Sequence, residues 1–340
     1  MNCVRLSPRS LLFLAALLFV VASRGHPQST NDVHVAPRAA TADAVPRAGL
    51  PPLERDPALR HMKPLRVDVD LVLVPVTVTD SRNRMVLGLE QPSFRIYEND
   101  QEQQIRYFAV EDAPISVGLV LDLSKSMSNK FVTERAAVDT FFGNANSQDE
   151  YFVVTFADRP TVRAAATQSI DEIQQGLAAE VPDGHTALFD AVYLGMAKLR
   201  SARYPRRVLL IISDGGDNHS RYGLKEVKSL AQEADVGIYA IGVFDSMLFR
   251  SFEEFMGKRW LREITDVTSG RTVSVDNFEK LPEIAASLSR EMRSQYVLGY
   301  KPRHPGRDGK WRKIKVRVTP PKDSDRVQAY YKKGYLAPAR

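Results

Sequence analysis

Two apolar segments of the chain end on an aspartate, and the first of them is followed by regularly spaced hydroxyl groups. The segment "VGLVLDLSKSM" ends its apolar run at Asp122, and Ser124 and Ser126 follow at alternate positions. The later segment "VLLIISDGGD" ends its run at Asp214. Alternate residues of a tight loop can turn their oxygens toward one centre. An all-oxygen shell without His or Cys suits a hard divalent cation and does not suit zinc or copper.

A third segment, "PDGHTALFDAV", adds a hydroxyl group at Thr186, just before a helix-like stretch. Taken singly, Ser, Thr and Asp at such junctions usually cap helices, and Asp followed by Gly usually forms a turn. Taken together and in this order, the three segments predict a metal site with two carboxylates and three hydroxyls. Its predicted ligands are Asp122, Ser124, Ser126, Thr186 and Asp214.

The elements around these segments alternate between strand-like and helix-like patterns from residue 114 to residue 293. The strand-like runs, such as "SVGLVLD" and "VGIYAIGVF", are almost continuously apolar. This pattern is typical of a parallel sheet covered by helices on both faces. We therefore predict a doubly wound α/β domain with a mostly parallel sheet over residues 114–293. In such sheets ligands bind outside the carboxyl ends of the strands, where the strand order reverses.

The stretch from Ile115 to Arg293 resembles the von Willebrand factor type A domain. The family's metal-ion-dependent adhesion site uses a D-x-S-x-S loop, a later threonine and a later aspartate, which match "DLSKS", "DGHTAL" and "ISDGGD" here. The resemblance implies that the serine hydroxyls bind Mg²⁺ (or Mn²⁺ or Ca²⁺) directly and that the carboxylates act largely through water. It also implies an open coordination position for a carboxylate of a partner. The whole chain is similar to exported bacterial proteins of this family.

The predicted domain is flanked by two short β-rich regions, residues 65–113 and 294–340. The N-terminal region contains "VDVDLVLVPVTVTD" and "SFRIYEND", and the C-terminal region contains "YVLGY" and "KWRKIKVRV". Each region is too small to bury a core alone. We therefore expect both to form one β-sandwich-like module into which the α/β domain is inserted.

The N-terminus has the features of a secretory signal peptide over residues 1–25. Arg5 and Arg9 precede the twelve-residue apolar run Leu11 to Ala22, and small residues follow it. A retained membrane anchor is the competing interpretation, but this run is shorter than the ~20 residues that a spanning helix needs. We expect a periplasmic or extracellular protein without a membrane span after cleavage. Residues 26–64, rich in Pro and Ala, are predicted to be a flexible linker.

The net charge of +6 comes from the C-terminal end of the chain. Residues 301–340 hold 13 Lys and Arg against 3 Asp. One interpretation is a patch that binds anionic polymers of the cell envelope or nucleic acid. The alternation of Ile314 and Val316 with Lys313, Lys315 and Arg317 favours a strand with one face in solvent. We therefore do not expect a nucleic-acid partner.

Three functions are compatible with the predicted metal site. In the first, the chain is a protein-binding module whose metal captures an exposed Asp or Glu carboxylate of a partner. In the second it is a metal-dependent hydrolase, and in the third the metal is only structural. A hydrolase needs a base or nucleophile beside the metal, and the nearby His185 and His219 are expected to be exposed. Because catalytic motifs such as G-x-S-x-G and H-E-x-x-H are absent from the sequence, we favour the binding module and expect no enzyme activity.

Overall fold

The structure of the protein is a computed structural model, and it describes residues 71–244, 252–303, 306–320 and 326–339. The predicted signal peptide and linker lie outside the described residues. Among the helices of the described ranges, none combines the length and the apolar character needed to cross a membrane.

The central part of the chain is an alternation of strands and helices, as its sequence pattern predicts. Its six strands are β5 (Ser116–Asp122), β6 (Glu150–Phe156), β7 (Pro160–Thr167), β8 (Arg207–Ser213), β9 (Val236–Val243) and β10 (Thr272–Val275). Its six helices are α1 (Phe131–Gly143), α2 (Ile170–Leu177), α3 (Leu188–Leu199), α4 (Leu224–Glu233), α5 (Phe252–Thr265) and α6 (Leu281–Arg293).

These six strands form one sheet in the order β10-β9-β8-β5-β6-β7. All neighbouring pairs are parallel except β6 with β7, which is antiparallel. The chain runs from β5 outward to β7 on one side, and from β8 outward to β10 on the other. The strand order therefore reverses between β5 and β8, and this is the position where such sheets bind ligands. The predicted fold class, a doubly wound and mostly parallel α/β sheet, is confirmed.

The sheet is buried on both faces because its inner strands are apolar at nearly every position. Every residue of β5 and of β9 is buried. On one face, Leu119 packs in a core with residues of α1, α2 and α6. On the other face, Val120 packs in a second core with residues of α3, α4 and α5. Strands covered on both faces explain the continuous apolar runs in the sequence.

Strand β7 is not anticipated by the sequence pattern. Its sequence "PTVRAAAT" contains only one large aliphatic residue, Val162, and alternates between exposed and half-buried positions over most of its length. It lies at the edge of the sheet and pairs with β6 alone. An edge strand can contain few apolar residues, because one of its sides and much of one face remain in solvent.

The two regions that flank the α/β domain share two antiparallel sheets. The first flank contributes β1 (Val72–Asp80), β2 (Phe94–Glu98), β3 (Gln101–Gln103) and β4 (Ile105–Glu111), and the second contributes β11 (Gln295–Tyr300), β12 (Trp311–Val318), β13 (Val327–Tyr331) and β14 (Gly334–Leu336). The strand orders are β13-β1-β11-β4 and β14-β12-β2-β3. Each sheet therefore contains strands of both flanks.

A third apolar core lies between these two sheets. It includes Val76 of β1, Ile96 of β2, Leu298 of β11 and Ile314 of β12. Along β12, Ile314 and Val316 are buried, whereas Lys313, Lys315 and Arg317 are exposed. This alternation is the one expected of a strand with one dry face, and it accounts for the basic residues of β12 as part of the solvent-exposed face.

Buried polar side chains join the β module to the α/β domain. Gln295 of β11 donates from Nε2 to the Tyr239 hydroxyl of β9 at 2.8 Å and to Thr77 Oγ1 of β1 at 3.2 Å. Arg271, just before β10, donates from Nη2 to the Asn83 carbonyl oxygen in the turn after β1. Since buried polar groups require partners, these bonds fix the position of the β module against the base of the α/β sheet.

Candidate metal centre

The loop after β5 begins with a buried carboxylate and reaches the surface within four residues. Asp122 and Ser124 are 0% and 1% exposed, whereas Ser126 lies at the exposed surface. Asp122 Oδ1 accepts a hydrogen bond from the Ser124 backbone N–H at 2.9 Å. The hydroxyl oxygens of Ser124 and Ser126 are 3.0 Å apart. The alternate spacing thus brings the two hydroxyls together above Asp122, as the sequence predicts.

The loop after β8 places a second carboxylate beside the first. Ser213 donates its hydroxyl hydrogen to Asp122 Oδ2 at 2.5 Å, and Asp214 follows directly, 7% exposed. Gly215 has a φ of +81° and packs against the backbone of Gly257 in α5. A Cβ atom at residue 215 would lie 2.5 Å from the Gly257 carbonyl oxygen. Glycine is therefore required directly after Asp214 for the loop to turn there.

Backbone hydrogen bonds hold the Thr186 loop against both other loops. The Lys125 N–H donates to the Gly184 carbonyl oxygen, which joins this loop to the loop after β5. The Thr186 N–H donates to Asn218 Oδ1 at 3.0 Å, and the Asn218 N–H donates to the Thr186 carbonyl oxygen at 3.0 Å. Thr186, which is 6% exposed, is therefore connected to the loops that carry the predicted serines and aspartates. The structure places all five predicted ligands in these three adjoining loops.

Two charged residues of α1 and its N-terminus lie beside these loops, although the sequence motif does not include them. The Lys130 ammonium lies 4.0 Å from Asp214 Oδ2 and donates to the Val243 carbonyl oxygen at 3.3 Å. Glu134 is 1% exposed, and within the described part of the chain neither of its carboxyl oxygens forms a hydrogen bond. Both side chains are buried, so they belong to the electrostatic environment of the site.

The electrostatics of the site are dominated by buried negative charge. Burial, and secondly the Asp214 carboxylate, raise the pKa of Asp122 to about 7, against hydrogen bonds from Ser124 and Ser213 that lower it. Burial also raises the pKa of Glu134 well above its ordinary value, and the nearby Asp122 and Asp214 carboxylates add to this rise, whereas the Asp122 backbone N–H and the Lys130 ammonium lower it. Each shift reflects the cost of holding several carboxylates together in a protein interior.

The donor set fits a hard divalent cation. A cation would offset the repulsion between Asp122 and Asp214, and the hydroxyls of Ser124, Ser126 and Thr186 would add neutral oxygen ligands. The orphaned carboxyl group of Glu134 also indicates that positive charge can be accommodated here. Within the described ranges, no three residues drawn from His, Cys, Asp and Glu are grouped closely enough to hold an ion by themselves. The serine and threonine hydroxyls would therefore complete the ligand set at this position.

The two histidines of the site region are exposed and interact with each other. Their rings stack with centroids 4.9 Å apart and an interplanar angle of 15°. His185 Nδ1 lies 2.8 Å from Asp158 Oδ1, which also accepts a hydrogen bond from the His185 backbone N–H. His219 donates its backbone N–H to the Thr186 carbonyl oxygen. These histidines thus form part of the rim next to Thr186.

Several residues that support the site are not evident from the sequence. Ser213 is the last residue of a buried strand, Asn218 lies in a polar loop, and Lys130 and Glu134 look like ordinary polar positions of an amphipathic helix. The sequence does contain one signal for Glu134. This residue lies three and four residues before the apolar Ala137 and Val138, and this spacing places it on the buried side of α1. A glutamate on the core-facing side of a helix indicates a special environment.

Comparison with protein-family models identifies the class of protein. The model of the von Willebrand factor type A domain matches residues 116–287, which is half of the chain. The protein therefore belongs to the von Willebrand factor type A family, and the predicted resemblance is confirmed. Domains of this family commonly mediate protein–protein interactions, often carry a metal-ion-dependent adhesion site, and are generally interaction modules rather than enzymes.

Solved structures that are similar to this chain have low sequence identity to it. The conserved hypothetical protein BatB from Bacteroides thetaiotaomicron is 18% identical, with a TM-score of 0.42 over 53% of this chain and 100% of that chain. A von Willebrand factor type A protein from Catenulispora acidiphila is 10% identical, with a TM-score of 0.47 over 69% of this chain and 75% of that chain. The search of curated proteins returned no match. The family assignment accordingly rests on the family model.

Proposed function

We propose that this protein is an exported protein-binding module that captures a carboxylate of its partner through a divalent metal. The metal would be Mg²⁺, or Mn²⁺ or Ca²⁺ in its place, held by Asp122, Ser124, Ser126, Thr186 and Asp214. The partner would be a protein with an exposed Asp or Glu side chain. Export would follow from the signal peptide predicted at residues 1–25.

The observation that carries this proposal is the convergence of three loops at the carboxyl edge of the sheet. The loops contain Asp122, Thr186 and Asp214, and they are joined by hydrogen bonds through Ser213 and Asn218. They lie where the strand order reverses between β5 and β8. Asp122 ends β5 and Asp214 directly follows β8, and the hydrogen bonds between the three loops would hold the oxygens in place before an ion arrives.

The gradient of burial across the loop after β5 supports binding at a surface. Asp122 and Ser124 are buried, and Ser126, two residues further on, is exposed. A cation between them would have protein oxygens beneath it and solvent on the opposite side. Mg²⁺ usually retains some water ligands in proteins, and a partner's carboxylate oxygen can replace one of them. Such a bond is specific for an acidic side chain because the ion is a hard, positively charged acceptor of oxygen ligands.

The rim next to Thr186 supports a contact surface around the proposed metal. His185 and His219 are exposed and stacked, and Asp158 holds the His185 ring. We propose that these rings contact the partner beside the metal-bound carboxylate. Aromatic and amphipathic side chains are enriched in protein interfaces because they bury a large area and still form hydrogen bonds.

A capture experiment with and without chelator tests this proposal. The purified, immobilised protein is incubated with envelope extract either in about 5 mM Mg²⁺ or in EDTA at a similar concentration. Mg²⁺ at this concentration fills any site of ordinary affinity. We expect a partner that is retained with Mg²⁺, lost with EDTA and lost from the Asp122→Asn and Asp214→Asn variants. The His185→Ala variant should weaken retention without changing the metal affinity. A partner retained equally in EDTA and by both Asp variants would contradict metal-mediated capture.

A further inference from the structure

Helix α1 directs a charged pair toward the candidate metal centre. Lys130 and Glu134 are one helical turn apart, and the Glu134 N–H donates to the Lys130 carbonyl oxygen at 2.9 Å. Side chains of a helix lean toward its N-terminus, so the Glu134 carboxyl group leans toward Lys130 and the loop that precedes the helix. The Lys130 ammonium, in turn, lies 4.0 Å from Asp214 Oδ2. Both side chains are almost completely buried.

Glu134 differs from the other buried acidic residues, because among the described residues neither of its carboxyl oxygens accepts a well-formed hydrogen bond, although the Asp122 backbone N–H is near enough to lower its pKa. Glu98 accepts hydrogen bonds from the hydroxyls of Tyr300 and Tyr335, at 2.7 and 3.0 Å. Glu291 is paired with Arg271, and Asp149 accepts from the Ile115 N–H and the Tyr151 hydroxyl. A buried carboxyl group without a well-formed hydrogen bond is rare in proteins and requires an explanation.

The charges of the buried cluster supply that explanation. Asp122, Glu134 and Asp214 can carry three negative charges, and Lys130 carries one positive charge. When all four are ionised, the cluster has an uncompensated charge of two negative units. A divalent cation neutralises this charge. Without Glu134, the five residues of the family motif and Lys130 would together carry only one negative unit.

We propose that Glu134 is a further residue of the metal centre, which interacts with the ion through water and matches the charge of the cluster to a divalent cation. This inference rests on the proposed function, because it assumes that the centre holds a metal. An interaction through water is proposed because Glu134 lies on α1, outside the three loops that carry the predicted direct ligands. Glu134 is therefore a positioning residue and not a direct ligand.

Lys130 has the opposite effect in this arrangement. Its ammonium group lies beside Asp214 and compensates part of the negative charge. An arriving cation must share Asp214 with Lys130, so the ammonium lowers the affinity of the centre for metal. Removal of Glu134 and removal of Lys130 are thus expected to change the metal affinity in opposite directions, although the two residues are adjacent on the same helix and equally buried.

Titration calorimetry with Mg²⁺ and with Mn²⁺ on the full-length protein tests the inference. Glu134→Gln keeps the size and removes the charge, and Glu134→Met serves as a second variant without polar side-chain atoms. We expect both variants to bind each metal about 10- to 100-fold more weakly. This is the range for residues that interact with the ligands of a metal without binding the metal themselves. Lys130→Met should bind each metal more tightly than the wild type. The matched control is Glu98→Gln, which changes a buried glutamate of the β module and should leave the metal affinity unchanged.

Thermal unfolding without metal shows whether each variant is folded and adds a second readout. The Glu134 variants should be at least as stable as the wild type without metal, and Mg²⁺ should raise their melting temperature less. Wild-type affinity in a folded Glu134→Gln or Glu134→Met protein would overturn this inference and leave the proposed function intact. Weaker binding in Lys130→Met, by the same factor as in Glu134→Gln, would also overturn it. If the wild type binds neither metal, the proposed function fails, and the inference fails with it.

Discussion

Arg271 and Glu291 form a buried salt bridge with two parallel hydrogen bonds. The Arg271 Nε–Glu291 Oε1 and Nη2–Glu291 Oε2 distances are 2.9 and 2.8 Å, and the two side chains are 4% and 2% exposed. The same guanidinium group donates to the Asn83 carbonyl oxygen and lies over the Tyr330 ring. This pair therefore joins β10 and α6 of the type A domain to the turn after β1 and to β13 of the β module.

Removal of one partner of this salt bridge should destabilise the protein strongly. Arg271→Met leaves the Glu291 carboxylate buried and unpaired, and we expect a loss of about 3–5 kcal/mol in the free energy of unfolding. Chemical denaturation of the full-length protein measures this loss. The double variant Arg271→Met with Glu291→Leu removes both charges and should be clearly more stable than either single variant. If the double variant lost as much stability as the two single variants together, the two residues would not be coupled.

Asn218 supports Thr186, and this contact leads to a second prediction. Asn218 Oδ1 accepts the Thr186 N–H at 3.0 Å. Asn218→Ala should therefore destabilise the protein by about 1 kcal/mol, the usual contribution of one hydrogen bond, and should weaken Mg²⁺ binding. Asn218→Asp retains an acceptor oxygen and should remain closer to the wild type in both respects. Thermal unfolding and metal titration of both variants test the contact, and a wild-type metal affinity in Asn218→Ala would show that Thr186 does not depend on it.

The pKa shifts at the site predict that the metal-free protein becomes less stable as the pH rises. Burial and the Asp214 carboxylate raise the pKa of Asp122 to about 7 in the folded protein. A raised folded-state pKa means that the folded protein binds the proton more tightly than the unfolded chain between about pH 4 and pH 7. The contribution of Asp122 to the free energy of unfolding is therefore fully present below about pH 4 and is lost as the pH rises through about 7.

Melting temperatures measured in EDTA between pH 5 and pH 8 test this prediction. The wild type should melt at a lower temperature at pH 8 than at pH 5, and saturating Mg²⁺ should reduce this difference because it favours the ionised carboxylate. In Asp122→Asn the dependence should be weaker, since one of the titrating groups is removed. An unchanged pH dependence in that variant would show that Asp122 is not responsible.

The arrangement of the β module predicts how truncated chains behave. Strand β11 lies between β1 and β4, so removal of residues 294–340 deprives both strands of their central neighbour. We expect residues 72–111 of such a truncation to be cleaved rapidly by protease, whereas residues 115–293, with two cores of their own, remain resistant. Protease resistance of either flank alone would contradict a shared module.

The central sheet and the five motif residues could be predicted because each has a local signal. The inner strands are continuous apolar runs, and Asp122, Ser124 and Ser126 follow the end of one of them at fixed spacing. The pairing of the flanks was expected from their small size, but their strand order could not be predicted, because it depends on contacts between residues more than 180 positions apart, such as Val76 and Tyr296.

The supporting residues of the site could not be predicted for a different reason. Ser213 bonds Asp122 across 91 positions, and Lys130 reaches the Val243 carbonyl oxygen across 113 positions. No local pattern encodes such contacts. The edge strand β7 also escaped prediction, because its few apolar residues are sufficient for a strand that is covered by only one neighbour.

Calorimetric titration of the wild type with Mg²⁺, beside Asp122→Ala and Asp214→Ala, tests the central claim most directly. The two aspartates lie at the edge of the sheet, outside the apolar cores, so both variants should remain folded. We predict binding of one Mg²⁺ per wild-type chain and no measurable binding in either variant, with circular dichroism spectra that match the wild type. Mg²⁺ binding of unchanged affinity in both folded variants would contradict the assignment of the metal centre.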